Sequence, residues 1–168
     1  GEKHTFKLIE DPSGEPNDNA KFSLSGIRLR TNEPFDFESQ PTLTIYVDAK
    51  DRGKLTYAQR VTVNVLDAND APTGLTIDND SIVENQPTKT VIGKLSAVDP
   101  DATDRHTYKI VGGKDMKRLL LRGDTLSTND IFDYETEPLL EVVVRVTDSK
   151  KLYADVTLNI NVTDVNDP

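Results

Sequence analysis

Apolar and polar residues alternate at period two through Val61-Thr62-Val63-Asn64-Val65, the pattern of a strand with one buried face. Leu158-Asn159-Ile160-Asn161-Val162-Thr163 alternates in the same way. The more continuously apolar runs from Leu43 to Val47 and from Leu139 to Val146 precede them and predict more deeply buried strands. Turn residues at Asp51-Arg52-Gly53-Lys54 and Asp148-Ser149-Lys150-Lys151 separate each run from its alternating successor at hairpin spacing. Two further strand patterns run from Leu75 to Val83 and from Val91 to Val98, and no segment sustains a helical period.

These similarities belong to a longer repetition. Aligning Gly26 with Gly123, an offset of 123 − 26 = 97 residues, carries the chain onto itself without gaps as far as Asp70 against Asp167. Eighteen of the 45 aligned positions are identical, too many for chance, including Phe35 with Phe132, Asp36 with Asp133, Glu38 with Glu135, Pro41 with Pro138 and Asp51 with Asp148. Upstream, His4-Thr5-Phe6-Lys7-Leu8 resembles His106-Thr107-Tyr108-Lys109-Ile110 at an offset of 106 − 4 = 102, which implies an insertion near Pro12 to Ala20 in the first copy. The first copy has no counterpart of Thr73 to about Thr103. Roughly seven short strands per copy predict an all-β chain of tandem Greek-key β-sandwiches. Residues 1–70 are expected to form a partial repeat lacking its N-terminal strands, and residues 71–168 a complete one ending in an acidic linker motif. A sandwich without those strands is expected to expose Val61, Val63 and Ile45 and leave unpaired sheet edges. Completion in trans by another chain and simple fraying are both open.

The chain of 168 residues carries a formal charge of −9, which sets it against nucleic acid and anionic membrane surfaces and makes cations its natural counterpart. No stretch is long and apolar enough to span a bilayer, and the N-terminus lacks the layout of a signal peptide, so a soluble excerpt is expected. The absence of Cys excludes disulfides and thiolate-bound zinc. With two His and no Trp there is little material for a transition-metal site or an aromatic platform, which leaves oxygen chemistry.

The acidic residues gather where strands end: Asp36 with Glu38, Asp67 with Asp70, Asp99 with Asp101, Asp133 with Glu135, Asp164 with Asp167. Calcium takes six to eight oxygen ligands, and closely spaced Asp and Asn supply them. In Asp36-x-Glu38 and Asp133-x-Glu135 the spacing puts both side chains on one side of an extended segment. Taken singly these are ordinary loop residues: Asp99-Pro100-Asp101 reads as a turn, and Asp67-Ala68-Asn69-Asp70-Ala71-Pro72 as a linker.

Their succession resembles the cadherin family. The Asp67-x-Asn69-Asp70 linker, Glu84 in Val83-Glu84-Asn85, Asp99-Pro100-Asp101, Asp133-Tyr134-Glu135 and Asp148 follow one another as the family's calcium motifs do, over nearly the whole chain. The resemblance implies a cadherin-like, immunoglobulin-like architecture in an extracellular, cell-surface adhesion protein, either an animal cadherin ectodomain or a bacterial surface adhesin with similar repeats, which the sequence does not separate. It implies a calcium site at the junction between repeats, built from Asp36, Glu38, Asp67, Asn69, Asp70, Asp99, Asp101 and Asp148, and commonly holding three Ca2+ ions in the family. Asp101 and Asp148 would then serve the joint more than the core. The first copy offers no equivalent of Glu84, which the family uses to bridge two of those ions. Glu84 itself groups with Asp133, Glu135, Asp164, Asn166 and Asp167 at the far end. The implied partners are other repeats of the same protein and a homophilic or heterophilic protein partner, with no nucleic acid, and with a membrane only through an anchor outside this segment.

Paired carboxylates also serve glycosidases. A catalytic pair occurs once in a cleft, whereas this pair recurs in both copies, so no enzyme is expected. The alternative is a calcium-dependent ligand- or carbohydrate-binding module, disfavoured by an aromatic content of 6% without Trp. His4 and His106 at matching strand positions read as surface or buried structural residues, not ligands. Asn79-Asp80-Ser81 and Asn161-Val162-Thr163 match the N-glycosylation acceptor pattern, and Asn161 alternates outward.

Overall fold

The computed structural model describes residues 4–166, and the chain divides into two compact units between Ala68 and Asn69. In the first, β1 (Thr5–Leu8), β4 (Thr42–Lys50) and β5 (Thr56–Asn64) form an antiparallel sheet in the order β1-β4-β5. β2 (Phe22–Ser25) and β3 (Arg28–Thr31) form a separate hairpin, entered through a 3-10 turn at Asn19–Lys21. The β4–β5 hairpin turns at Asp51 to Lys54, as the turn chemistry predicts, with Thr42 opposite Asn64 and Lys50 opposite Thr56. Phe22, Leu43 and Ile45 make the core, with Leu8, Phe35, Val47, Val61, Val63 and Val65 packed around it. The Phe22 and Phe35 rings lie 5.4 Å apart. Ile45 is only 1% exposed and Val61 and Val63 are half-buried, contrary to the expectation of an open face. Phe22 and its flanking segments supply the cover that the expectation overlooked.

In the second unit, β6 (Gly74–Ile77), β8 (Val91–Val98), β10 (Leu119–Arg122) and β11 (Thr125–Thr128) form one sheet in the order β10-β11-β8-β6. β7 (Ser81–Val83), β9 (Thr107–Gly112), β12 (Leu139–Thr147) and β13 (Tyr153–Thr163) form the other, in the order β7-β13-β12-β9. The period-two pattern places Leu140, Val142, Val144 and Val146 of β12 and Ile160 of β13 wholly inside, against Leu126 from the opposite sheet. The strand expected from Leu75 to Val83 is broken: Asp78-Asn79-Asp80 carries the chain from one sheet to the other, antiparallel to β8 before the break and parallel to β13 after it. The Asn79 carboxamide holds the crossing by donating to Ser81 O at 2.8 Å and Ile92 O at 2.6 Å. Among the described residues, the first unit has no strands in the places of β6, β7 and β8.

The 97-residue register reaches further back in the structure than in the sequence. Asp18 exchanges backbone and side-chain bonds with Thr44, its N–H donating to Thr44 O and its Oδ2 accepting from Thr44 N, both at 2.7 Å. Asp115 does the same with Glu141, at 3.1 and 2.8 Å. Both continue the edge where β1 or β9 leaves the β4 or β12 ladder, so a carboxylate replaces a missing strand as hydrogen-bond acceptor. The Asn32 N–H donates to Lys21 O as Asn129 does to Arg118 O, and Val65 donates to Pro41 O as Val162 does to Pro138 O. The extra residues of the first copy lie between Leu8 and Asp18, close to where the offsets place them. Burial pushes the Asp18 carboxyl up, but the bonds from Thr44 and Gln40 and the nearby Lys21 charge together hold it below its ordinary value.

Gly93 permits the close approach of β8 to the sheet crossing, because a Cβ there would stand 2.4 Å from Asn79 O. Gly93→Ala should destabilise the second unit by about 1–3 kcal/mol, the usual cost of forced overpacking. Gly74→Ala, with nothing within 4 Å of its Cβ, should leave the denaturant midpoint unchanged or slightly raised. Equal losses for both variants in urea unfolding would contradict the crossing as the point of constraint.

Candidate metal centres

Where strands end, backbone N–H groups leave the ladder, and short acidic side chains are placed to accept them. In the first unit Asp36 follows β3: its Oδ1 accepts from Glu38 N at 3.0 Å and its Oδ2 from Ser39 Oγ at 2.5 Å. Hydrogen bonds from the Ser39 hydroxyl and, next, the Glu38 side chain hold the Asp36 carboxyl below its ordinary value. Asp36 and Glu38 therefore adjoin, but in a turn closed by Gln40 N donating to Asp36 O at 3.0 Å and not in the extended segment expected from their spacing. Asp67 is exposed in the segment that follows β5.

Within the second unit five of the sequence-predicted residues come together through hydrogen bonds. Asp101 N donates to Asp99 Oδ1 at 2.9 Å, the turn that the Asp-Pro-Asp run predicts. Asp70 N donates to Asp101 Oδ2 at 2.8 Å, and Asn69 Nδ2 donates to Asp148 Oδ2 at 2.7 Å. Asp148 is 2% exposed, and its Oδ1 accepts from Leu152 N at 2.8 Å. Asp148 thus closes the β12–β13 turn as well, so it serves its own sandwich and not only a joint. Asp51 accepts from Leu55 N in the same way in the first unit.

Sequence reasoning read His106 as a structural residue but missed its bond to Asp99. Its Nε2 lies 2.6 Å from Asp99 Oδ2, with both side chains almost covered, so the imidazole donates to the carboxylate and fixes its direction. It missed Asp104 too, which accepts from Ser149 Oγ at 2.5 Å and ties the loop after Asp101 to the turn after Asp148. No motif marks either residue; each contact joins segments that only the fold brings together.

At the other acidic group, Glu84 is 1% exposed at the end of β7. Its Oε2 accepts from Tyr134 N at 2.9 Å and its Oε1 from Val165 N at 2.6 Å. Glu84, Asp133 and Glu135 each bring a carboxylate oxygen within 4.8 Å of the others. Asp133, Glu135, Asp164 and Asn166 line one open cleft with Asn85, while Asp167 lies outside the described residues. The Glu135 carboxyl is lowered by its own backbone N–H, but the hydrogen bond with Asp133, desolvation and the charges of Glu84 and Asp133 together hold it above its ordinary value. Carboxylates at this spacing repel one another until a cation neutralises them. Carboxylate and amide oxygens, with no sulfur or imidazole among them, suit a hard divalent ion such as calcium.

Two outcomes follow from this group alone, both in chelator. Glu84→Ala should lower stability by about 1–2 kcal/mol, because two partly buried N–H groups lose their acceptor and the relief of repulsion from exposed neighbours is smaller; an unchanged urea midpoint would refute it. Glu135→Gln should behave oppositely. A carboxyl with a raised folded-state pKa loses stability as pH rises from its unfolded value through its folded one. The variant should therefore melt above the parent at pH 7, and the gap should close as pH falls through the carboxylate range. A gap that widens on acidification would contradict the repulsion.

The family model described as cadherin domain matches residues 79–163. Human protocadherin gamma-B7 is 30% identical over 147 residues, which cover 83% of this chain and 16% of that protein. The protocadherin-like wing polarity protein stan of Drosophila melanogaster is 33% identical over 153 residues, covering 83% of this chain and 4% of that one. The chain thus spans a small fraction of the length of these relatives. Among solved structures, protocadherin gamma B7 extracellular cadherin domains 1-4 are similar at a TM-score of 0.58 and 28% identity, over 95% of this chain and 40% of that one. The protocadherin gammaB7 EC3-6 cis-dimer is similar at 0.59 and 29%, over 99% of this chain and 41% of that one.

Proposed function

This chain belongs to the cadherin family, and from that premise we propose that it is a calcium-dependent adhesion and spacer segment whose Ca2+ ions stiffen a rod of successive repeats. Its setting is the extracellular face of the cell surface, and its relatives are adhesion proteins and not enzymes. Residues 1–70 are read as a partial repeat and residues 71–168 as a complete one. Calcium at the junction would draw on Asp36, Glu38 and Asp67 from the first repeat and on Asn69, Asp70, Asp99, Asp101 and Asp148 from the linker and the second. A further site would draw on Glu84, Asp133, Glu135, Asp164, Asn166 and Asp167, completed by a following repeat. Its partners would be other cadherin repeats, in the same protein and in homophilic or heterophilic contacts. The similarity to a protocadherin cis-dimer supports that class of partner.

The observation that carries this reading is the approach of Glu84, Asp133 and Glu135 within 4.8 Å, a cluster that repels itself without a cation. Ligands drawn from consecutive repeats make ion binding and linker stiffness one equilibrium, since an ion held by both sides removes the freedom of the segment between them. Calcium at a hundred times its dissociation constant adds about 2.7 kcal/mol of stability. For a domain of this size that is a rise in melting temperature of at least about 10 °C. Melting in millimolar calcium and in chelator, with calorimetric titration of calcium, tests it: equal melting temperatures and no binding heat would remove the proposal. Asp133→Asn combined with Glu135→Gln should reduce the calcium-dependent rise, whereas Arg122→Gln, outside the proposed ligand set, should leave it intact.

A further inference from the structure

We propose that Asn161 is the acceptor of an N-linked oligosaccharide, and that the second matching tripeptide, at Asn79, is not used. The inference rests on the extracellular setting of the chain and not on its calcium sites. Both tripeptides meet the sequence requirement of Asn followed two residues later by a hydroxyl, but the fold treats them differently.

The Asn79 carboxamide is fully engaged. Its Nδ2 donates to Ser81 O and Ile92 O, and its Oδ1 accepts from the hydroxyl of Ser81, the third residue of the same tripeptide. A sugar on Nδ2 replaces one of its two protons and so removes one of the bonds that hold the crossing between sheets. It would also have to fit where Asn79 O and the backbone at Gly93 already approach closely. Asn161 sits in β13 between Ile160 and Val162, which are 0% and 3% exposed, so its own side chain faces solvent. Its backbone N–H is taken by Asp80 O, and its carboxamide makes no hydrogen bond among the described residues. Its neighbours across the strands are Ser81 on β7 and Leu139 on β12, and Leu139 is 41% exposed. A glycan core can lie along this outer surface without displacing any bond of the fold.

The duplication supplies an internal control. Asn64 occupies the same place in β5, is exposed in the same way and faces Thr42 as Asn161 faces Leu139, but the residue two further on is Leu66. The same surface position thus occurs with and without the hydroxyl. In transfer, the bond from the anomeric C1 of a lipid-diphosphate-linked oligosaccharide to its phosphate oxygen breaks and a C1–Nδ2 bond forms. Nδ2 gives up one proton and the lipid diphosphate leaves. Once attached, the oligosaccharide covers the outer face of β7, β13 and β12 and withdraws it from contact with other proteins.

The chain, directed into the secretory pathway of animal cells by a cleavable leader, is examined in both retained and secreted pools. Peptide mapping follows treatment with an amidase that converts glycosylated Asn to Asp. The expected result is one glycan per chain, with Asp appearing at 161 and Asn79 unchanged. Asn161→Gln and Thr163→Ala should abolish the glycan, while Thr163→Ser and Asn79→Gln should retain it. A bare Asn161 in both pools, or conversion at position 79, would overturn the inference. Calcium melts on the same material separate the two proposals: calcium stabilisation with Asn161 bare refutes only this one, and a glycan at Asn161 without calcium stabilisation refutes only the other.

Discussion

Backbone groups released at the ends of strands must find partners, and in this chain carboxylates supply many of them. Asp18 and Asp115 extend a sheet edge, Asp51 and Asp148 close hairpin turns, and Asp99 caps its own turn. Glu84 accepts two N–H groups from segments far away in sequence. A carboxylate that accepts a backbone bond keeps lone pairs in reserve, so one residue can fix a loop and still present oxygen to an ion. The folded loops thereby assemble much of the candidate coordination shell before any metal arrives. The cost is like-charge crowding, visible in the raised Glu135 carboxyl.

This double use explains why the acidic motifs were legible as a set and ambiguous singly. Asp99-Pro100-Asp101 is a turn, and the reading of it as a turn was correct; the Asp101 carboxylate nonetheless reaches out to Asp70 N. The hairpins and the alternating strands were readable because period-two burial and turn residues are local signals. The break at Asp78-Asn79-Asp80 was not, since Leu75 to Val83 carries a strand pattern on both sides and only the separate partners β8 and β13 reveal two strands. Nor was the cover of Ile45 by Phe22 and its neighbours, a contact between segments more than twenty positions apart. The bond of His106 lacked any sequence signal because its partner Asp99 belongs to a loop whose path depends on the whole sandwich.

The two units show how much of a sandwich is specified by its polar connections. Between Phe22 and Leu119, Ile45 and Val142, or Val63 and Ile160, the apolar side chains at matching positions differ in size, and each core has repacked around its own set. Bonds at the matching positions of Asp18, Lys21, Asp36 and Pro41 are nonetheless repeated one for one. Because these bonds run largely through the backbone, they persist even where the side chains differ, as at Thr44 and Glu141 or Lys21 and Arg118.

Each of those repeated bonds has both ends inside the segment from Asp18 to Val65, or inside its copy from Asp115 to Val162. The genetic consequence is modularity. A crossover that exchanges one such segment for the other transfers that set of bonds intact, while each segment must re-form its pairing with the strands outside it, as β4 does with β1 and β12 with β9.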